Sequence, residues 1–175
     1  LNLMYYTTVL MGLVLLLWGC GKDNGDDPLK TPYGALADVK AYRQNIEIII
    51  VQVSTIEALA EEQAVGSANI ATAANLYTVY IEQRPQLIQI IEQIDAIKPP
   101  PALSDLHQNI RYLVILRLEA YSAVINGWTT QDETLYDVAE EKLRQANILI
   151  LSLNEQLVAI DETIEKTENN NPLAA

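Results

Sequence analysis

The sequence is poorest in the side chains that most often carry chemistry. It holds one cysteine, Cys20, one histidine, His107, and no phenylalanine; its two methionines, Met4 and Met11, both precede Cys20. A lone cysteine forms no internal disulfide. A di-iron carboxylate bundle needs Glu-x-x-His on each of two helices, which one histidine cannot supply. A c-type haem needs C-x-x-C-H, which is absent. A haem held by His and Met is excluded once the methionines leave with a cleaved leader. Cations are also scarce: 11 Lys and Arg stand against 23 Asp and Glu, a net charge of −12, and every charged side chain follows Cys20. Such a balance repels nucleic acid, so no nucleic-acid partner is expected.

Nucleophile patterns are missing as well. Ser54, Ser67, Ser104, Ser122 and Ser152 fall in helical or capping contexts, without nucleophile-elbow glycines. Ser104, three residues before His107, reads as a helix cap. Asp105 and His107 are two apart and do not face one another on a helix, so no metal site is expected. Glu61-Glu62 and Glu140-Glu141 read as solvated faces. The expectation is a protein that is not an enzyme and carries no cofactor.

What is present begins with an apolar run. "TTVLMGLVLLLW", residues 7–18, has no charge. Twelve helical residues rise about 18 Å, short of a hydrocarbon core of about 30 Å. That length suits a secretory signal better than a span, although no Lys or Arg precedes it. Ordinary signal peptidase would meet bulky Leu17 at position −3, where a small residue is wanted. The tetrad Leu17-Trp18-Gly19-Cys20 resembles a bacterial lipobox, departing from its usual form at Trp18. The resemblance implies a diacylglyceryl group on the Cys20 thiol, cleavage before it, and a membrane partner reached through those acyl chains. The competing reading is an uncleaved signal anchor. "CGKDNGDD", residues 20–27, resembles the start of mature lipoproteins from Bacteroidota-type bacteria, which implies a lipid-anchored envelope protein of the outer membrane, facing the periplasm or the cell surface. A plain solvated tether is the alternative meaning of these residues.

A chain of 175 residues has room for about one domain. The expected organisation is a lipoprotein signal at 1–19, a lipidated cysteine and flexible tether at 20–34, a four-helix bundle at 35–168, and a disordered tail at 169–175. Apolar residues recur at spacings of three and four through four segments: 34–65, 68–98, 101–127 and 131–167. Pro85 predicts a kink or break in the second. "KPPP" at 98–101 stops it, because residues before proline avoid the helical region. The third is apolar almost all round at "YLVIL", 112–116, and is expected to be the most buried. Gly127 is expected to end it. Thr130-x-x-Glu133 predicts a capping box for the fourth. Short loops between long helices predict an all-α, up-down antiparallel four-helix bundle. "PPPALSDLHQNI", residues 99–110 with the preceding prolines, is similar to a helix opening in several uncharacterised bacterial helical lipoproteins; it implies fold and location and carries no activity.

The charges least at ease are Arg111, Arg117 and Glu119 in the apolar third segment. They predict either pairing with carboxylates on neighbouring helices or an anion site for a carboxylate or phosphate ligand inside the bundle. Two functions follow: a lipid-anchored, non-enzymatic interaction or structural protein working through a protein partner, or a small-ligand-binding bundle with its site near Arg111 or Arg117.

Overall fold

The computed structural model describes residues 29–65 and 71–170. The signal at 1–19, Cys20 and the end of the tail therefore lie outside the described residues. Four α-helices dominate: α1 (Leu36–Val65), α2 (Ala73–Ala96), α3 (Ser104–Thr130) and α4 (Thr134–Asn169). Among the described residues the fold is all-α apart from one minimal hairpin, and no helix there is long and apolar enough to cross a membrane.

That hairpin pairs β1 (Lys30–Thr31) with β2 (Gly34–Ala35) in antiparallel register. It lies in the stretch expected to be flexible tether. The Thr31 hydroxyl donates to Gly34 O and accepts from Tyr33 N, each at 3.0 Å. Gly34 takes φ of 132°, a left-handed conformation open to glycine but strained for other residues. Leu29 and Tyr33 pack on the core, and Leu36 N donates to Leu29 O at 2.7 Å. Among the described residues, ordered structure is already present six residues ahead of α1, where two apolar side chains find cover.

α1 shows why the strand-like "IIIVQV" is helical. Val39, Tyr42, Ile46, Ile49, Val53, Ile56 and Ala60 are buried on one stripe, while Ile48 and Val51 face out. The 3.6-residue period sustained over 30 residues outweighs a local β-branched preference. α2 starts at Ala73 because the Thr72 side chain accepts from Asn75 N at 3.2 Å, a side-chain N-cap. Asn75 also donates to Ala64 O at 3.3 Å, tying α2 to the end of α1. Of the expected kink or break at Pro85, the break does not occur: α2 runs through this exposed proline without interruption. Proline there still leaves the Ile81 carbonyl without its helical donor. Ile97 turns extended ahead of the prolines, as expected.

α3 is the most buried helix: eleven of its 27 residues are buried, against seven of 36 in α4. Two boundary expectations fail at its end. Gly127 lies within the helix, where an added Cβ would meet Asp132 O at 3.1 Å and Leu135 Cβ at 3.3 Å. Its role is close approach between α3 and α4. The helix stops three residues later, with Gln131 in the left-handed conformation at φ of 56° and its N–H returned to Gly127 O. The capping box does not form either. Thr130 Oγ1 donates to Asn126 O, so it stays with α3, and Asp132 Oδ1 accepts from Thr134 N instead. In packing, α3 lies against α2 and α4, α1 lies against α2, and α1 touches α4 least of these neighbours.

Candidate functional site

The sparse α1–α4 contact has a direct consequence. Lys40 pairs with Glu168 and Arg43 with Asp161 at one end of the seam. Farther along, Ile50, Ser54 and Ala58 of α1 and Ile150, Asn154 and Leu157 of α4 border the same open space. A cleft of about 380 Å³ opens there, lined by α1, α3 and α4. Its size falls in the range of small-molecule sites, and its lining is largely aliphatic. Ile49, Ile50, Val53, Ile110, Leu153 and Leu157 make most of the apolar wall.

Glu57 lines the same cleft and belongs to the polar layer beside it. Glu57 Oε1 lies 2.5 Å from Arg117 Nε, without the alignment of a hydrogen bond, so both atoms remain without a hydrogen-bond partner. Arg117 Nη2 donates to Asn147 Oδ1 at 2.7 Å. Arg117 is only 7% exposed. Burial pushes the Glu57 carboxyl above the usual glutamate range, and the Arg117 charge opposes that rise. Tyr80 of α2 and Tyr121 of α3 stack with centroids 3.8 Å apart and planes 5° apart. Burial pushes the Tyr80 hydroxyl up to about 12, opposed by Arg117, and also raises Tyr121, a rise that Tyr80 and Glu57 reinforce. Gln83 is buried as well; its amide nitrogen reaches Ile56 O at 3.1 Å and its oxygen Ala60 N at 3.2 Å. Each of the four helices contributes to this layer: Glu57, Tyr80 with Gln83, Arg117 with Tyr121, and Asn147.

The two arginines singled out in the sequence are not brought together. Arg117 faces Glu57 and Asn147. Arg111 points to the end of α2, where it grips Asp95 at 2.6 and 3.2 Å, a two-point fork on the surface. That bond holds the Asp95 carboxyl below the usual aspartate range. Both guanidiniums therefore already face carboxylates, which is the pairing expectation, and neither sits among the residues lining the cleft. Glu119 pairs with Lys142 of α4 at 2.7 Å.

His107 is buried, with its ring 5.9 Å from that of Tyr42 and Nδ1 3.5 Å from the Tyr42 hydroxyl. Burial holds its pKa below the usual histidine value, opposed chiefly by Asp95. Among the described residues, no group of three or more His, Cys, Asp or Glu is placed to hold a metal ion.

Sequence reasoning passed over Glu57. The signal was available: a carboxylate four residues after Val53 and three before Ala60, on the buried stripe of α1. Glu61 and Glu62 are exposed, as their reading as a solvated face implied, yet both also line the cleft. No protein-family model, curated protein or solved structure matches the chain.

Proposed function

We propose that this chain is a lipid-anchored, non-enzymatic protein of the bacterial envelope whose helical domain binds a small apolar ligand. The observation that carries the binding reading is the aliphatic cleft between α1, α3 and α4. A well-packed bundle excludes voids of this size, since interiors pack like organic crystals. The anchor rests on Leu17-Trp18-Gly19-Cys20 and on the polar stretch that follows.

An up-down antiparallel bundle is the arrangement these contacts support. Ala64, late in α1, meets Asn75, early in α2. Asp95, late in α2, meets Arg111, early in α3, while Arg84, earlier in α2, donates to Ser122, later in α3. Glu119 of α3 meets Lys142 of α4, and Lys40 of α1 meets Glu168 of α4. Between α2 and α3, contacts that move back along one helix move forward along the other, as alternating helix directions require.

Two measurements test the reading. Cells grown with labelled palmitate should incorporate it into the wild-type chain but not into Cys20→Ala, which should also leave the membrane fraction. A neutral apolar dye such as Nile red should brighten on the wild-type protein and fail to do so on Ala58→Trp, where an indole from the cleft's lip fills the space. Membrane retention of Cys20→Ala would overturn the anchor, and equal dye binding by Ala58→Trp would overturn the cleft.

A second reading, docking of a protein partner on an outer face, draws on Ile48, Ile148, Leu151 and Val158, each more than half exposed. Failure of Ala58→Trp to change dye binding, with loss of binding in Leu151→Lys, would favour this reading.

A further inference from the structure

Nine of the fifteen residues around the cleft are Ile, Leu or Val, and among the described residues its lining holds no aromatic ring. The chain has nine Tyr and two Trp, but its ring pairs lie elsewhere: Tyr80 with Tyr121, Tyr77 with Trp128, and Tyr42 with His107. A flat aromatic ligand gains from stacked or edge-on rings, and a methylated ammonium from a cage of them. This wall offers neither, so a flat dye enters on buried area alone. An alkyl chain gains from dispersion and from leaving water, and loses nothing by the absence of rings.

The capacity of the space is small. Its volume, about 380 Å³, lies near the lower end for small-molecule sites. At about 30 Å³ for a water-sized group, it holds roughly a dozen carbons. That is one chain, not the two tails of a bilayer phospholipid.

The polar groups decide the head. Among the described residues the lining has no Lys, Arg or His, so an acid head would leave water without a counter-charge. A cation fares little better. Glu57 already faces Arg117, Glu61 is engaged, and Glu62 is exposed, where water screens it. Asn154 of α4 is half-buried in the lining, and among the described residues its amide has no hydrogen-bond partner. An amide both donates and accepts, which matches a hydroxyl or another amide.

We propose that the cleft takes an uncharged single-chain lipid of about twelve carbons, with its alkyl tail on the aliphatic wall and its hydroxyl or amide head at Asn154. This rests on the reading of the cleft as an apolar-ligand site and adds the shape, length and head group of the ligand.

The test uses the full chain in its membrane-bound form and a dodecanol analogue carrying a photoreactive diazirine in its tail. After irradiation, peptide mapping should place the label on the stretches around 49–53 and 153–157. Unlabelled dodecanol should block labelling at about tenfold lower membrane concentration than dodecanoate, dodecylamine or pyrenemethanol. Asn154→Leu should keep the labelled sites and lose a preference of about fivefold for dodecanol over dodecane, the worth of one hydrogen bond. Ala58→Trp should lose the label altogether. A preference unchanged in Asn154→Leu would overturn the head-group assignment. Dodecanoate, dodecylamine or pyrenemethanol competing as well as dodecanol, with the label still in the cleft, would overturn the neutral alkyl ligand and leave the apolar site standing. Label present in Cys20→Ala but absent from the wild type would assign the space to the chain's own acyl group and overturn a free lipid. Label scattered outside the cleft would overturn the apolar site as well.

Discussion

Glu57 of α1 and Arg117 of α3 face each other 2.5 Å apart, on helices separated along the chain by the whole of α2. Both are largely withdrawn from water, and their contact lacks hydrogen-bond alignment. Breaking such a pair from one side leaves a charge buried alone, which costs more than the pair itself contributes.

Arg117→Met keeps most of the stem volume and removes the charge. It should lower stability by about 3–5 kcal/mol near neutral pH. Glu57 already titrates above the usual range because of burial, and Arg117 is what holds the rise in check. Without it the folded state retains its proton to higher pH than the unfolded chain does. A raised carboxyl favours the folded state at low pH, and that advantage is lost as pH rises through the folded value. Urea unfolding should therefore show a deficit that grows as pH rises above the ordinary glutamate value. Adding Glu57→Gln should recover part of it and flatten the dependence.

His107 gives the opposite slope. Its folded pKa lies below the ordinary value because it is buried. The contribution to stability is complete above the ordinary histidine value, near 6.5, and is lost as pH falls through the folded value. His107→Gln keeps a hydrogen-bonding group for Tyr42. Between about pH 7 and pH 5 the wild-type urea midpoint should fall more steeply than that of the variant. The carboxylates titrate in both proteins, so the difference isolates His107.

Pro85 sits exposed in the middle of an uninterrupted helix. Proline costs about 3 kcal/mol relative to alanine in a helix interior, and part of that is offset by its stiffening of the unfolded chain. Pro85→Ala should raise stability by about 2 kcal/mol, measured by thermal or urea unfolding. A loss instead would mean that the packing of α2 depends on the proline.

Gln131 carries the left-handed conformation that closes α3. A residue with a Cβ pays a steric cost of about 1 kcal/mol there, which glycine avoids. Gln131→Gly should raise the melting temperature, and Gln131→Val should lower it.

The helices themselves were readable because burial period is a local property. Leu36 through Ala64 on α1, and Leu153, Leu157, Ile160 and Ile164 on α4, lie on stripes that spacing alone identifies. The failures sit at ends, where one residue's choice decides. Thr130 had two acceptable roles, and the carbonyl of Asn126 took its hydroxyl before α4 could. Gly127 looked like a terminator but serves a close helix crossing, a demand set by Leu135 and Asp132 on the far side of the turn.

The site was legible only in part. That Arg117 would need a partner followed from its place in an apolar helix, while Arg111 and Arg117 looked alike until Asp95 took one and Glu57 the other. By itself the sequence determined the four helices, the face each of them buries, and the scarcity of His, Cys and Met. These follow from side-chain type and spacing within single segments. Only the tertiary structure decided that Glu57 meets Arg117, that Glu61 and Glu62 border a cleft, and that the cleft exists. Those depend on how α1 packs against α3 and α4, helices far from it in the chain whose positions no local pattern encodes.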